Sequence, residues 1–134
     1  MAATPVQFEV GGRKYSTIPL TGFDVLDLDR IVTDTLYAVH SRVRSQGIGT
    51  DNKNEFGGAI ARELTKEFAS MSREDYRKLL ELSLSSTTLI GGAKEKDTRL
   101  SDADVIGNAF AGHLVDIPEV LAAVWTANKL TPFA

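Results

Sequence analysis

The sequence contains no cysteine. That excludes a disulfide framework, a thiolate zinc site and a thiol nucleophile together. Histidine is nearly as scarce, with only two, His40 and His113. They do not stand at the three- or four-residue helical spacing that brings two imidazoles onto one metal. Each is therefore expected to be structural or on the surface. An excess of positive charge is missing as well: 15 Lys and Arg face 18 Asp and Glu, for a net charge of −3. Sequence-independent binding to nucleic acid rests on cations neutralising phosphates, so a DNA or RNA partner is not expected. Arg42, Arg44 and Arg62 read as solvated helix faces. No run approaches the ~20 apolar residues of a membrane helix. The opening MAATPVQFEV lacks the basic start and continuous apolar stretch of a signal peptide, so a cytosolic protein is expected.

Motifs for chemistry are absent too. The carboxylates of DVLDLDRIVTD (Asp24, Asp27, Asp29, Asp34) point in several directions around a helix, and no calcium loop with its glycine and closing glutamate accompanies them. Gly47-Ile48-Gly49 lacks the third glycine of a dinucleotide loop. Gly91-Gly92-Ala93-Lys94 lacks the Ser or Thr that follows Lys in a phosphate loop. No triad, nucleophile elbow or acid–base pair emerges from spacing. The expectation is a protein without catalytic residues, cofactor or metal.

What is present is the pattern of one mainly helical α+β domain over residues 1–134, 43% hydrophobic and 25% charged. Residues 1–20 read as a β-hairpin and 21–134 as a helical body. Val6, Phe8 and Val10 alternate with polar residues, and Gly11-Gly12 supplies the two positive-φ positions of a tight turn. That turn sets Phe8 opposite Tyr15 and Glu9 opposite Lys14. A lone hairpin is marginal in water, so it is expected to pack on four or five helices. Thr21 with Asp24 caps the first, whose stripe is Val25, Leu28, Val32, Leu36, Val39 and Val43. That helix is expected to stop in Gln46 to Gly49, with Thr50 to Asn54 as loop. Phe56, Ile60, Leu64, Phe68 and Met71 line a second helix. Ser72 and Asp75 box the start of a third, which runs through Leu82 towards Gly91-Gly92. Thr87 to Ile90 has the character of a short strand and Ala93 to Arg99 that of a charged loop, with a short second strand pair within Thr87 to Arg99 as the alternative. Ser101 with Asp104 caps a short helix, and Asp116 caps the last, with Pro118 and Glu119 in its first turn.

The last helix has a broad apolar face. Ile117, Leu121, Val124 and Asn128 follow one line, with Trp125 to one side. Asn128 is expected to close the helix in the left-handed conformation. Leu130 and Phe133 remain as apolar groups beyond it, and covering them requires either the body of the protein or a partner.

The arrangement Phe110-x-Gly112, Leu121-x-x-Val124-Trp125, Asn128 and Phe133 resembles the C-terminal half of a family of small tailed-phage tail assembly chaperones. The hairpin Phe8-x-Val10-Gly11-Gly12-Arg13-Lys14-Tyr15, followed by Pro19-Leu20 and a helix, is similar to that family's N-terminal outline. The resemblance implies a non-enzymatic protein that binds the phage tape-measure protein in the cytoplasm of the infected bacterium. It also implies promotion of tail-tube polymerisation, contact with the tail-tube protein, self-association, and absence from the mature particle. The other reading is a structural head–tail or tail accessory subunit retained in the virion. The partner-binding candidates are Phe110, Leu121, Val124, Trp125, Leu130 and Phe133. Core packing is the expectation for Leu121 and Val124. Trp125, Leu130 and Phe133 are the contact candidates, since aromatic residues near a chain end suit interface anchoring.

Overall fold

The computed structural model describes residues 4–45, 53–91 and 96–130, with backbone only for 38, 40 and 53–58. The hairpin forms as its alternation dictates: β1 (Val6–Val10) and β2 (Arg13–Thr17) pair antiparallel, with Phe8 opposite Tyr15 and Glu9 opposite Lys14. Gly11 and Gly12 take φ of 58° and 79°, the turn that only glycine adopts without strain. Along β2, Tyr15 and Thr17 are buried while Lys14 points to solvent, the two-residue period of a half-buried strand.

The hairpin is widened by a distant segment. β3 (Thr87–Ile90) lies antiparallel to β2, and β4 (Thr98–Arg99) pairs with β3, giving one sheet in the order β1-β2-β3-β4. The strand character of Thr87 to Ile90 is thus realised, its partner β4 falls at the end of the stretch read as a charged loop, and the helix before them ends at Leu84, short of Gly91-Gly92. Thr17 and Thr87 seal the β2–β3 seam through a buried hydroxyl–hydroxyl bond of 2.9 Å.

Among the described residues five α-helices cover the sheet's inner face and each other. They are α1 (Gly22–Ser45), α2 (Lys53–Ser70), α3 (Arg73–Leu84), α4 (Ala103–Phe110) and α5 (Ile117–Ala127). The expected loop lies outside the described residues up to 52, and Lys53 and Asn54 already belong to α2. The α1 stripe is buried as predicted at Leu28, Val32, Leu36, Val39 and Val43, packed on α2 and α3. Arg42 holds α1 to α2 through Glu63 (3.0 Å) and Glu67 (2.9 Å). Ser72 caps α3 by accepting a hydrogen bond from the Asp75 backbone N–H.

Two N-terminal caps differ from expectation. Ser101 donates its N–H to the Arg99 carbonyl in the turn out of β4, so Asp102 takes the cap of α4 and accepts from the Val105 N–H at 3.0 Å. Asp116 has helical backbone angles (φ −80°, ψ −20°), because a 3₁₀ turn, Leu114–Asp116, runs straight into α5. Its carboxylate lies instead against the hairpin turn, where a Cβ on Gly11 would meet Oδ2 at 2.5 Å.

Candidate functional site

Five of the six residues singled out at the C-terminal end can be placed, and all five are core. Leu121, Val124 and Trp125 have no exposed surface, Phe110 has 1% and Leu130 2%. Phe133 lies outside the described residues. Phe110 closes α4 beneath the hairpin, stacked on Tyr15 with ring centroids 6.3 Å apart. The Arg13 guanidinium sits 5.6 Å from the Phe110 ring and donates from Nη2 to the Ala109 carbonyl (2.8 Å). A cation is thereby placed on the negative end of α4. Trp125 uses its polar edge inward, donating from Nε1 to the buried Ser83 hydroxyl (3.0 Å), which ties α5 to α3.

Asn128 is not the left-handed residue. Its φ is −81°, and Lys129 turns the chain at φ 51°. The Asn128 side chain is a clip: Oδ1 accepts from the Leu20 N–H (2.7 Å), and Nδ2 donates to the Val124 carbonyl (2.9 Å). The end of α5 is thus fastened to the strand-to-helix connection before α1. This fixes the route of the chain on to Leu130, which packs inward.

In this part of the chain the apolar surface that is exposed lies at the other end of α5. Leu114 and Val115 of the 3₁₀ turn are 67% and 84% exposed. They rim a groove of about 480 Å³ formed with Thr65, Phe68 and Ala69 of α2, Tyr76 of α3, and Ile117 and Pro118 of α5. Phe68 and Tyr76 make its aromatic wall, their ring centroids 5.2 Å apart. Burial raises the Tyr76 phenol above its usual range. On the far side of Leu114 a second hollow of about 270 Å³ runs between α3 and α4, lined by Leu80, Ile106 and Phe110, with Arg77 and Asp104 also contributing. Tyr76, Leu114 and Ile117 belong to both. The two hollows adjoin at these three shared residues and together make an apolar trough.

Sequence reasoning passed over Leu114 and Val115 because nothing in His113 to Asp116 has a period. An apolar residue just before a helix cap ordinarily packs onto the first turn. Here the 3₁₀ turn carries Val115 outward instead. Among the described residues, no three His, Asp or Glu side chains converge as a metal site would require. His113 Nδ1 stands 3.8 Å from Asp116 Oδ2. Among the described residues no helix is long and apolar enough to cross a membrane.

Compared with known proteins, residues 11–130 match the family model described as phage tail assembly chaperone protein, TAC. No curated protein and no solved structure matches.

Proposed function

This chain belongs to the phage tail assembly chaperone family, and on that premise we propose that it holds an amphipathic helical segment of the tape-measure protein in the trough around Leu114 and Val115. The observation that supports this reading is the exposure of those two residues beside an aromatic wall, while the rest of the C-terminal apolar face, among the described residues, is packed away. A helical client presents apolar anchors one or two turns apart, and an apolar trough of two adjoining hollows is the complementary shape. Covering a Leu or Val fully stabilises a complex by ~1.5–3 kcal/mol, so this pair can supply a useful share of a modest affinity.

In this reading the protein is non-catalytic and acts in the cytoplasm of the infected host. It shields the tape-measure protein from aggregation, promotes polymerisation of the tail tube around it, and is absent from the mature particle. Phe110, buried at 1% exposure, acts as the floor of the second hollow. Leu121, Val124, Trp125 and Leu130 act behind it by fixing α5 and the 3₁₀ turn. Phe133 remains a direct contact candidate.

The test is affinity capture from infected cells, identified by mass spectrometry, beside purified particles. Tape-measure protein is expected with the wild-type chain. A Val115→Asp variant with unchanged circular dichroism is expected to recover at least about tenfold less, since it puts a charge where apolar burial is required. Equal recovery by the variant refutes the trough. Stoichiometric presence of the chain in particles supports the virion-subunit reading instead.

A further inference from the structure

The sheet has two edges, and they differ. The Ile18 N–H, just past β2, donates to the Ser86 carbonyl (3.0 Å), which sets the phase of the ladder: Lys14 and Ser16 turn their backbone groups to β3. Successive residues of a strand bond to opposite sides, so Arg13, Tyr15 and Thr17 bond to Val10, Phe8 and Val6 of β1. The N–H and C=O of Gln7 and Glu9 therefore point away from the sheet. Both residues are exposed, and among the described residues no segment pairs with them on that side. The opposite edge offers much less. There β4 is two residues long, and the carbonyl of its outward residue, Arg99, already accepts from the Ser101 N–H (2.9 Å). β1 lacks the lysine, proline or bulge that ordinarily protects an edge: it pairs without interruption from Val6 to Val10, and its sequence is VQFEV.

We propose that the open edge of β1 is a docking site for an extended, basic segment of another protein, which joins the sheet as a further strand antiparallel to β1. The chemistry of the edge selects this occupant. Two N–H donors and two C=O acceptors alternate along it, and an extended backbone complements all four at once. Antiparallel addition continues the pairing found throughout this sheet. Guest residues opposite Val6 and Phe8 fall on the inner face, where Val6 is 39% exposed and Phe8, stacked on Tyr15 at 5.3 Å, is half-buried. Apolar side chains suit those positions. On the outer face the Glu9 carboxylate makes no ion pair among the described residues, although Lys14 stands opposite it on β2. Its open side suits a guest Lys or Arg, as does the net charge of −3. Neither Gln7 nor Glu9 lines the trough, so this site does not depend on the one around Leu114.

The probe is the acetylated, amidated peptide Val-Lys-Val-Thr-Val, which in antiparallel register sets its Lys opposite Glu9 and its central Val opposite Phe8. Titrated to millimolar concentration into the isotopically labelled full chain, it is expected to give saturable NMR shifts centred on the Gln7 and Glu9 amides. Hydrogen exchange at those two amides should slow as the peptide saturates. Methylating the backbone nitrogens of its Lys and Thr, the two that face β1, should weaken binding at least about tenfold. Val-Glu-Val-Thr-Val should bind several-fold more weakly than the Lys peptide, and Glu9→Lys should reverse that preference. Glu9 faces solvent, so an unchanged thermal melt will show that the variant folds. Absence of saturable shifts on β1 overturns the proposal. So does equal binding of the methylated peptide, or a charge preference that Glu9→Lys leaves as it was.

Discussion

Replacing Asn128 separates a backbone role from a side-chain role at the end of α5. Were Asn128 simply a left-handed cap, glycine would serve as well or better, since it adopts positive φ without a steric penalty. The structure instead gives Asn128 helical angles and two side-chain hydrogen bonds, from the Leu20 N–H at 2.7 Å and to the Val124 carbonyl at 2.9 Å. Each bond contributes about 0.5–1.5 kcal/mol net, and leaving the half-buried Leu20 N–H without its acceptor adds a desolvation cost of similar size. Asn128→Ala is thus expected to cost about 2 kcal/mol, and Asn128→Gly somewhat more. Asn128→Asp should fall between, keeping the acceptor for Leu20 but setting a carboxylate against the Val124 carbonyl. Lys129→Gly should stabilise by up to ~1 kcal/mol, because Lys129 carries the positive φ. For a chain of 134 residues, 2 kcal/mol is a fall in Tm of roughly 7 °C. Urea denaturation and thermal melts of the four variants measure the series. An Asn128→Gly variant as stable as the wild type would falsify the clip and restore the simple cap.

Trp125→Phe should destabilise by about 2 kcal/mol, through lost volume and a buried Ser83 hydroxyl left without the indole. Binding to the tape-measure protein should survive wherever that variant is folded; a stable variant that fails to bind would place Trp125 at the contact. Gly11→Ala should cost clearly more than Gly12→Ala in the same denaturation assay. Both have positive φ, but only the Gly11 Cβ would run into the Asp116 carboxylate, at 2.5 Å, while nothing stands within 4 Å of the Gly12 Cβ. Burial raises the Tyr15 phenol above 10.0, with Arg13 partly offsetting and Asp116 adding to the effect, and burial raises Tyr76 likewise. Folded phenols then keep their protons where unfolded ones lose them, so stability should hold below pH ~10 and fall as pH rises further. Denaturation at stepped alkaline pH checks the sign. Tyr15→Phe removes a buried hydroxyl that has no protein partner among the described residues. It should stabilise at neutral pH by about 1 kcal/mol and flatten the alkaline loss.

The elements most legible in the sequence are those decided within a few residues. The Phe8–Tyr15 register follows from a two-glycine turn and strict alternation. The α1 stripe follows from a long, regular period, and the Ser72 cap from a local pattern. Each is set by neighbours along the chain, and the folded body leaves them as they are. Family likeness was legible as well, because a few spaced residues at both ends carry it.

The candidate site was not legible in the same way. A spacing pattern marks residues as apolar without saying which neighbour covers them, so Trp125 and Leu130 read as anchors until α3 and the body are seen to enclose them. Leu114 and Val115 carry no period at all, and their exposure depends on a 3₁₀ turn that replaces the expected cap at Asp116.

By itself the sequence determined the hairpin, the helical phases, the exclusion of cysteine chemistry and the outline of a tail assembly chaperone, since these depend on residue type and short-range spacing. Tertiary structure alone decided that β3 and β4 extend the hairpin into a sheet, that Asn128 reaches back to Leu20, and that Leu114 and Val115 are left open at the start of α5 while Trp125 and Leu130 are enclosed. Those outcomes join residues far apart in the chain, and only packing determines which distant groups meet.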